Sequence, residues 1–387
     1  MNQNNFPRIY LDYAATTPLR TEVIAAMQAA AGDANFNPSS LHAEGRRSRA
    51  LLDDARDRVA SALGASRKEI TFTGSGTEAD NLALQGVVRA LGGKRHVIVS
   101  AIEHHAVLRA AEALRESGST VTVVGVDECG RVDAAEFARA IRDDTAVASI
   151  AYANNEIGSV QAISHLAEIA HARGVVFHTD AVQAPTWLPL DVRVLGADML
   201  SLSAHKFYGP KGIGVLYVRS GTPLAPVIAG GGQEFGRRSG TENVLGAVGA
   251  AAGLQLAVAE REATSARIGA LRDRLEAGLK TIPGVRINAA GAVRLPNITS
   301  ASFAGIDPEA LLVRLDLEGV AVSAGSACTS GTLEPSHVIA ALTPGVRTEA
   351  TIRFSLGLPV TESEIDRALT VVARVAAGLS RPAETPA

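Results

Sequence analysis

The sequence contains very little cysteine. Cys129 and Cys328 are the only two among 387 residues, which excludes a disulfide framework and a zinc site built from several cysteines. So low a content suits a reducing compartment, and we predict a cytoplasmic protein. Positive and negative charges are nearly balanced, because the formal net charge is −3 and no long basic run occurs. We therefore expect neither nucleic acid nor a membrane surface as a partner.

Long hydrophobic runs are also missing. The longest uncharged stretch, residues 244–259, is rich in Gly and Ala and is short for a membrane span. We predict a buried helix there, followed by a separate charged helix over residues 261–280. The N-terminus, Met-Asn-Gln-Asn-Asn-Phe-Pro-Arg, has no basic region followed by an apolar core, so we expect no secretory signal.

Apolar runs alternate with helical stretches through the first two thirds of the chain. The runs cover residues 96–100, 121–126, 147–152, 175–179 and 199–203. Continuous apolar strands that alternate with helices predict an α/β fold with a mostly parallel sheet covered on both faces. From about residue 260 the pattern becomes α+β. We predict a large domain over residues 16–259 and a small domain made of residues 1–15 and 260–387.

Lysine is scarce, and one lysine stands in an unusual place. Of five lysines, Lys206 alone follows a predicted buried strand, with Ser203 and His205 beside it. A lysine partly buried at a strand end can have a lowered pKa and form a Schiff base with an aldehyde cofactor. A surface lysine in a hairpin turn is the alternative interpretation.

A carboxylate ends the preceding apolar strand. Asp180, in His-Thr-Asp-Ala-Val-Gln, needs a cationic or hydrogen-bonding partner if it is buried. The protonated ring nitrogen of pyridoxal phosphate would be such a partner, and a carboxylate there makes the ring a better electron sink. Gln183 could hydrogen-bond the ring hydroxyl. Ligands bind at the carboxyl ends of parallel strands, so Asp180 and Lys206 on successive strands predict one cofactor site.

Two further segments follow strands at the same edge. Residues 74–78, Gly-Ser-Gly-Thr-Glu, open a helix, where free N–H groups and the helix dipole favour a phosphate. A capping box between Ser75 and Glu78 explains this segment equally well. His104 could lie over an aromatic cofactor, although it or His105 could also be a surface residue; adjacent histidines cannot both face the site.

The two cysteines have different surroundings. Cys328 lies in Val-Ser-Ala-Gly-Ser-Ala-Cys-Thr-Ser-Gly, where no bulky neighbour could bury it, so we predict a mobile, exposed loop with a reactive thiol. Cys129 lies in a turn and has no partner pattern, so we expect no catalytic use.

Arg353 alternates with apolar residues in a predicted strand. Its planar guanidinium group suits binding of a carboxylate. A surface salt bridge is the alternative interpretation of this arginine.

Together these segments resemble the pyridoxal-phosphate-dependent cysteine desulfurases, in particular the class that serves iron–sulfur cluster assembly and nitrogenase maturation. The resemblance runs from Tyr10-Leu-Asp-Tyr-Ala-Ala-Thr-Thr-Pro18 to the final helix. Ser203-Ala-His-Lys206, Arg238-Ser-Gly-Thr-Glu-Asn243 and Ser326-Ala-Cys-Thr-Ser330 carry it most specifically. It implies an aminotransferase-like fold, PLP fold type I, with a seven-stranded sheet and a smaller C-terminal domain.

The resemblance also implies a role for each motif residue. Lys206, His104 and Cys328 would be catalytic, with Lys206 carrying the cofactor. The implied cofactor contacts are Gly76, Thr77, His104, Asn155, Asp180, Gln183, Ser203, His205, Lys206 and, from the second subunit of a homodimer, Thr241. The implied substrate contacts are Asn155, Arg353 and Asn37.

The same resemblance implies a sulfur-transfer reaction. Cys328 would attack the sulfur of L-cysteine, leaving L-alanine and a persulfide for a sulfur acceptor or iron–sulfur scaffold protein. We expect no resident metal, apart from a contact between Cys328 and a nascent cluster.

Three other functions are compatible with parts of the pattern. A selenocysteine lyase or related aminotransferase-fold enzyme would keep the cofactor site without needing Cys328. A non-catalytic sulfur carrier with a vestigial fold would need neither Lys206 nor Asp180. A nucleotide-binding function is supported only by residues 74–77, and this segment lacks the lysine that binds phosphate in such proteins.

Overall fold

The structure, a computed structural model, describes residues 7–324, 336–342 and 350–379. Within these residues the strands are β1 (Ile9–Tyr10), β2 (Ile70–Thr73), β3 (His96–Ser100), β4 (Thr120–Val124), β5 (Thr145–Ser149), β6 (Val176–Asp180), β7 (Met199–Ser203), β8 (Gly214–Val218), β9 (Val285–Ile287), β10 (Ile298–Phe303), β11 (Val320–Ala321) and β12 (Ala350–Ser355).

The α-helices in the same ranges are α1 (Thr21–Ala34), α2 (Ala43–Leu63), α3 (Gly76–Leu91), α4 (His105–Glu116), α5 (Ala134–Ala140), α6 (Ile163–His171), α7 (Val192–Leu195), α8 (Val244–Leu279), α9 (Pro308–Leu317), α10 (His337–Leu342) and α11 (Glu362–Leu379). The short helices α7 and α10 were not predicted from the sequence, because four to six residues are too few to show a helical period.

A seven-stranded sheet forms the centre of the molecule. Its strand order is β2-β8-β7-β6-β5-β3-β4. The strands from β4 to β7 pair in parallel, whereas β8 is antiparallel to both β7 and β2. One core, with α2, α5, α6 and the first part of α8, covers one face; another, with α3 and α4, covers the opposite face. The predicted mostly parallel α/β sheet is confirmed.

A second core lies beside this sheet. An antiparallel sheet of order β12-β10-β9 packs with α9, α11 and the end of α8. The N-terminal strand β1 pairs in parallel with β11, and Ile9 and Leu11 are buried in the same core. Residues 9–11 therefore pack with elements from the last third of the chain. The division at residues 15 and 259 stays a prediction.

Helix α8 corrects one expectation. Residues 244–259 and 261–280 were predicted as two helices, but they form one helix of 36 residues, about 54 Å long at 1.5 Å per residue. No glycine or proline interrupts residues 254–268, so nothing in the sequence ends the helix there. The change from apolar to charged composition lies where α8 passes from the core of the large sheet to the second core. By length and composition α8 could cross a membrane, but 61% of its apolar window is buried within the protein, as in a core helix.

Candidate active site

A cavity of about 390 Å³ opens at the carboxyl ends of β6 and β7, beside the first turn of α3. Most residues that the sequence pattern singled out line it: Gly76, Thr77, His104, Asn155, Asp180, Gln183, Ser203, His205, Lys206 and Arg353. Two of the predicted residues, Asn37 and Thr241, are exposed and do not line the cavity of this chain. Cys328 lies outside the described residues. The cavity thus gathers segments that are up to 339 residues apart in sequence, from Ala14 to Arg353.

Lys206 is held inside the cavity. It follows β7 in a short 3₁₀ turn, Ala204–Lys206. Its Nζ donates hydrogen bonds to the carbonyl oxygens of Ala14 and Ala15, at 2.5 and 2.8 Å. Gln183 Nε2 donates to the same Ala14 oxygen at 3.0 Å. The N-terminal segment therefore forms one wall of the cavity and orients the amine.

Asp180 is buried at the end of β6. Burial raises the pKa of its carboxyl to about 6, although the Val182 N–H and the charge of Lys206 oppose the rise. Asp180 Oδ1 accepts the Val182 N–H at 2.9 Å. A carboxylate in such surroundings gains from any cationic group placed beside it.

His104 begins α4 as its N-cap. Its Nδ1 accepts the Ala106 N–H at 3.1 Å, so the proton of the neutral imidazole is on Nε2. Burial, with a further contribution from Lys206, lowers the pKa of His104 to about 4. The adjacent His105 packs instead against His337, with ring centroids 4.8 Å apart.

The first turn of α3 forms one end of the cavity. Ser75 caps the helix by accepting the Glu78 N–H at 3.1 Å, while the Gly76 and Thr77 N–H groups are among those left without intrahelical acceptors. A Cβ on Gly76 would lie 2.9 Å from Val182 Cγ2 and 3.1 Å from Ser203 Cβ. Only glycine therefore lets the backbone come this close. The Ser75 cap is compatible with anion binding by the Gly76 and Thr77 N–H groups, the predicted anion cup.

The cup has hydroxyl and imidazole groups beside it. Ser203 is buried at the end of β7, and His205 Nδ1 lies 3.1 Å from Thr16 Oγ1. Burial lowers the pKa of His205 to about 4, with Lys206 and Lys211 adding to the effect.

Arg353 enters the cavity from β12. Its Nη1 donates to the Asn155 carbonyl at 3.0 Å and its Nη2 to Asp12 Oδ1 at 2.7 Å. The side chain is buried, yet Nε has no partner among the described residues. A buried N–H without an acceptor favours binding of an anion.

Three buried or half-buried acids at this site were not singled out in the sequence. Asp12 holds Arg353, while Asp80 and Glu103 are buried near Asp180. The position of Asp80 could have been found from the sequence, because this acid stands among apolar residues on the buried face of α3. For Asp12 and Glu103 no local pattern marks the contact.

The lining suits a flat aromatic aldehyde that carries a phosphate. Helix N–H groups and a hydroxyl stand at one end, the Asp180 carboxyl at another, and the Lys206 amine lines the same space. The backbone approach at Gly76 and the raised pKa of Asp180 are what such a group would need. Pyridoxal phosphate fits these residues. No group of three metal-binding side chains occurs in the ranges that the structure describes.

Comparisons with known proteins give the same assignment. Residues 9–368 match the family model for aminotransferase class-V. A protein named cysteine desulfurase IscS from Dictyoglomus turgidum is 46% identical over 95% of this chain and 94% of its own. A solved NifS-like protein superposes with a TM-score of 0.90 at 36% identity, covering 96% of this chain and 100% of that one.

A second solved structure was determined with an amino acid bound. It is titled SspA in complex with cysteine, and it has a TM-score of 0.78 at 35% identity over 90% of this chain and 98% of its own. With the cavity described above, these matches show that the chain belongs to the aminotransferase class-V family and, within it, to the pyridoxal-phosphate-dependent cysteine desulfurases.

Proposed function

We propose that this protein removes sulfur from L-cysteine, releases L-alanine and passes the sulfur through Cys328 to an acceptor or iron–sulfur scaffold protein. The observation that carries the proposal is the convergence of Lys206, Asp180 and the α3 anion cup on one cavity. When bound, pyridoxal phosphate would supply an electron sink that makes the substrate Cα proton acidic.

The residues that would hold the cofactor are those at the two ends of the cavity. Gly76, Thr77, Ser203 and His205 would bind the phosphate. Asp180 would pair with the ring nitrogen, Gln183 would bond the ring hydroxyl, and His104 would stack on the ring. A neutral His104 suits stacking, because a cationic imidazole would repel the protonated ring and Lys206.

Arg353 and Asn155 would orient the substrate carboxylate. Two of the guanidinium nitrogens are already occupied by Asp12 and by the Asn155 carbonyl, so the plane of the group is fixed before substrate arrives. The guanidinium charge therefore faces the substrate carboxylate with its orientation already set.

Lys206 would attach the cofactor and then remove the substrate Cα proton. Its amine must be neutral to do so, and the Ala14 and Ala15 carbonyls stabilise the ammonium that results. His104 holds a second exchangeable proton on Nε2.

Cys328 would perform the sulfur transfer. Its thiolate attacks the substrate sulfur, a sulfur–sulfur bond forms, and the carbon–sulfur bond breaks. The electron pair of the broken bond goes to carbon, which takes up a proton and becomes the methyl group of alanine. This role rests on the sequence around Cys328.

The two cysteines offer a matched test of this role. We expect wild-type protein treated with L-cysteine to form alanine and to carry one extra sulfur on Cys328 by mass spectrometry. Cys129→Ala should behave like wild type, whereas Cys328→Ala should form no protein-bound persulfide. A persulfide retained in Cys328→Ala would refute the assignment. Selenocysteine turnover without cysteine turnover in wild type would identify a selenocysteine lyase instead.

A cytoplasmic homodimer is part of this proposal. Thr241 is exposed and does not reach the cavity of its own chain, so a phosphate contact from Thr241 requires a second copy. Analytical ultracentrifugation should give a dimer, and Thr241→Val should weaken pyridoxal phosphate binding. A monomer with full cofactor affinity would contradict this arrangement.

A further inference from the structure

A buried carboxyl without a role in the proposed mechanism lies in the cavity wall. Asp80, in the second turn of α3, is 1% exposed and lines the cavity together with Asp180. Its Oδ1 has no hydrogen-bond partner within the described ranges. Leaving an ionised carboxylate oxygen unpartnered in the interior is costly, so the state of this side chain needs an explanation.

A row of polar groups lies beside Asp80 on three neighbouring strands. His178 Nδ1 is 2.8 Å from Ser149 Oγ, and His178 Nε2 is 2.9 Å from Ser201 Oγ. Asp80 Oδ1 lies 3.7 Å from His178 Nε2. Ser149 is opposite His178, and Asp180 is opposite Ser201, in the strand register. The row thus connects the wall at Asp80 to the strand that carries Asp180.

His178 does not supply a positive charge to this row. Both of its ring nitrogens face serine hydroxyls, and complete burial lowers its pKa to about 3. A neutral imidazole cannot balance an ionised Asp80. Ser201 is the hydroxyl that partly stabilises the Asp80 carboxyl.

The charged groups that act on the Asp80 carboxyl are two further acids, Asp180 and Glu103. Burial raises the pKa of Asp80 well above its usual value, and Asp180 and Glu103 add to the rise. Glu103 accepts the Ser100 hydroxyl at 2.5 Å and the Ala151 N–H at 2.8 Å, and burial raises its pKa to about 8. Several buried carboxyls close together cannot all ionise at moderate cost.

We propose that Asp80 is a positioning residue that stays a neutral carboxylic acid. Among Asp80, Glu103 and Asp180, only Asp180 is then ionised, and it pairs with the cofactor ring nitrogen. The inference rests on the proposed use of pyridoxal phosphate. The neutral acid fills the space beside Asp180 and keeps water out, and an ion pair is stronger in such a low-dielectric environment.

Two substitutions distinguish a neutral acid from a charged or inert residue. Asp80→Asn keeps the shape and neutrality, so the dissociation constant for pyridoxal phosphate, measured by absorption on cofactor-stripped protein, should stay within about twofold of wild type. Asp80→Ala admits water beside Asp180 and should raise that constant about tenfold, close to 1.4 kcal/mol. The absorption maximum of bound cofactor should shift in Asp80→Ala and return to the wild-type position in Asp80→Asn.

The opposite results overturn the inference. An Asp80→Asn protein that binds as poorly as Asp80→Ala, or that does not fold, would mean that Asp80 must be charged. Wild-type affinity and absorption in Asp80→Ala would mean that Asp80 has no part in the site. Glu276→Gln, which weakens a buried carboxylate pair with Arg294 away from the cavity, should lower the thermal midpoint and leave cofactor affinity unchanged. A wild-type protein that binds no pyridoxal phosphate would instead refute the proposed function.

Discussion

Arg353 Nη2 donates a hydrogen bond to Asp12 Oδ1 at 2.7 Å, across 341 residues of sequence. This contact joins the last strand of the fold to its N-terminal segment at the edge of the cavity. It leaves Arg353 Nε buried and without a partner in the described residues. The arginine is therefore immobilised through both of its terminal nitrogens at the edge of the cavity that it lines.

Removing the Asp12 carboxylate should weaken substrate binding more than turnover. In Asp12→Ala the guanidinium loses a charge-assisted hydrogen bond, and we expect KM for L-cysteine to rise about tenfold with a smaller change in kcat. Steady-state kinetics measure both. Asp316→Asn is the control, because Asp316 pairs with Arg8 on the surface. A fall in kcat with unchanged KM would contradict a role in binding the carboxylate.

Gly76→Ala should damage the anion cup. The added methyl group would lie about 3 Å from Val182 and Ser203, closer than real side chains pack, so α3 must shift away from β7. We expect cofactor affinity, measured by absorption titration, to fall at least about tenfold. Gly32→Ala places a methyl in open space within α1 and should stabilise the protein by about 0.5–1 kcal/mol. Unchanged affinity in Gly76→Ala would exclude this end of the cavity as the phosphate site.

The cofactor-stripped protein should lose stability as pH rises because of Asp180. Its pKa is about 6 in the folded state and 3.8 is the ordinary value. The folded state therefore binds this proton more tightly, and the contribution is lost between about pH 4 and pH 6. We expect the free energy of unfolding of wild type to fall relative to Asp180→Asn over this interval, as measured by urea titration. Parallel pH profiles for the two proteins would show that the pKa is not raised.

A buried ion pair beside the edge strand β2 should matter for stability. Arg56 donates to both Glu234 oxygens, at 2.5 and 2.7 Å, and both side chains are almost fully buried. Glu234→Gln leaves the buried guanidinium without its counter-charge, so we expect a loss of about 3–5 kcal/mol in urea unfolding. Asp144→Asn breaks an exposed pair with Arg142 and should change stability little. Equal effects of the two substitutions would contradict this distinction.

Much of the secondary structure follows from local patterns. Strands β3 and β7 have the bounds predicted from the sequence, because each is a short apolar run with polar or turn residues next to it. The α8 boundary was wrong for a related reason. A helix that passes from one core to another changes composition without ending, and only its two sets of neighbours show that it is continuous.

Local sequence patterns were enough to predict the type of site. Lys206, Asp180, His104 and the 74–78 turn each follow a strand or begin a helix, and local rules place such residues at one edge of a sheet. The groups that accompany them become visible only in the folded chain. Asp12, Ala14 and Ala15 meet Lys206 and Arg353 through long-range packing, and Asp80 and Glu103 join Asp180 by burial. A pKa depends on such burial and on charges brought close in space, neither of which is encoded in the local order of residues.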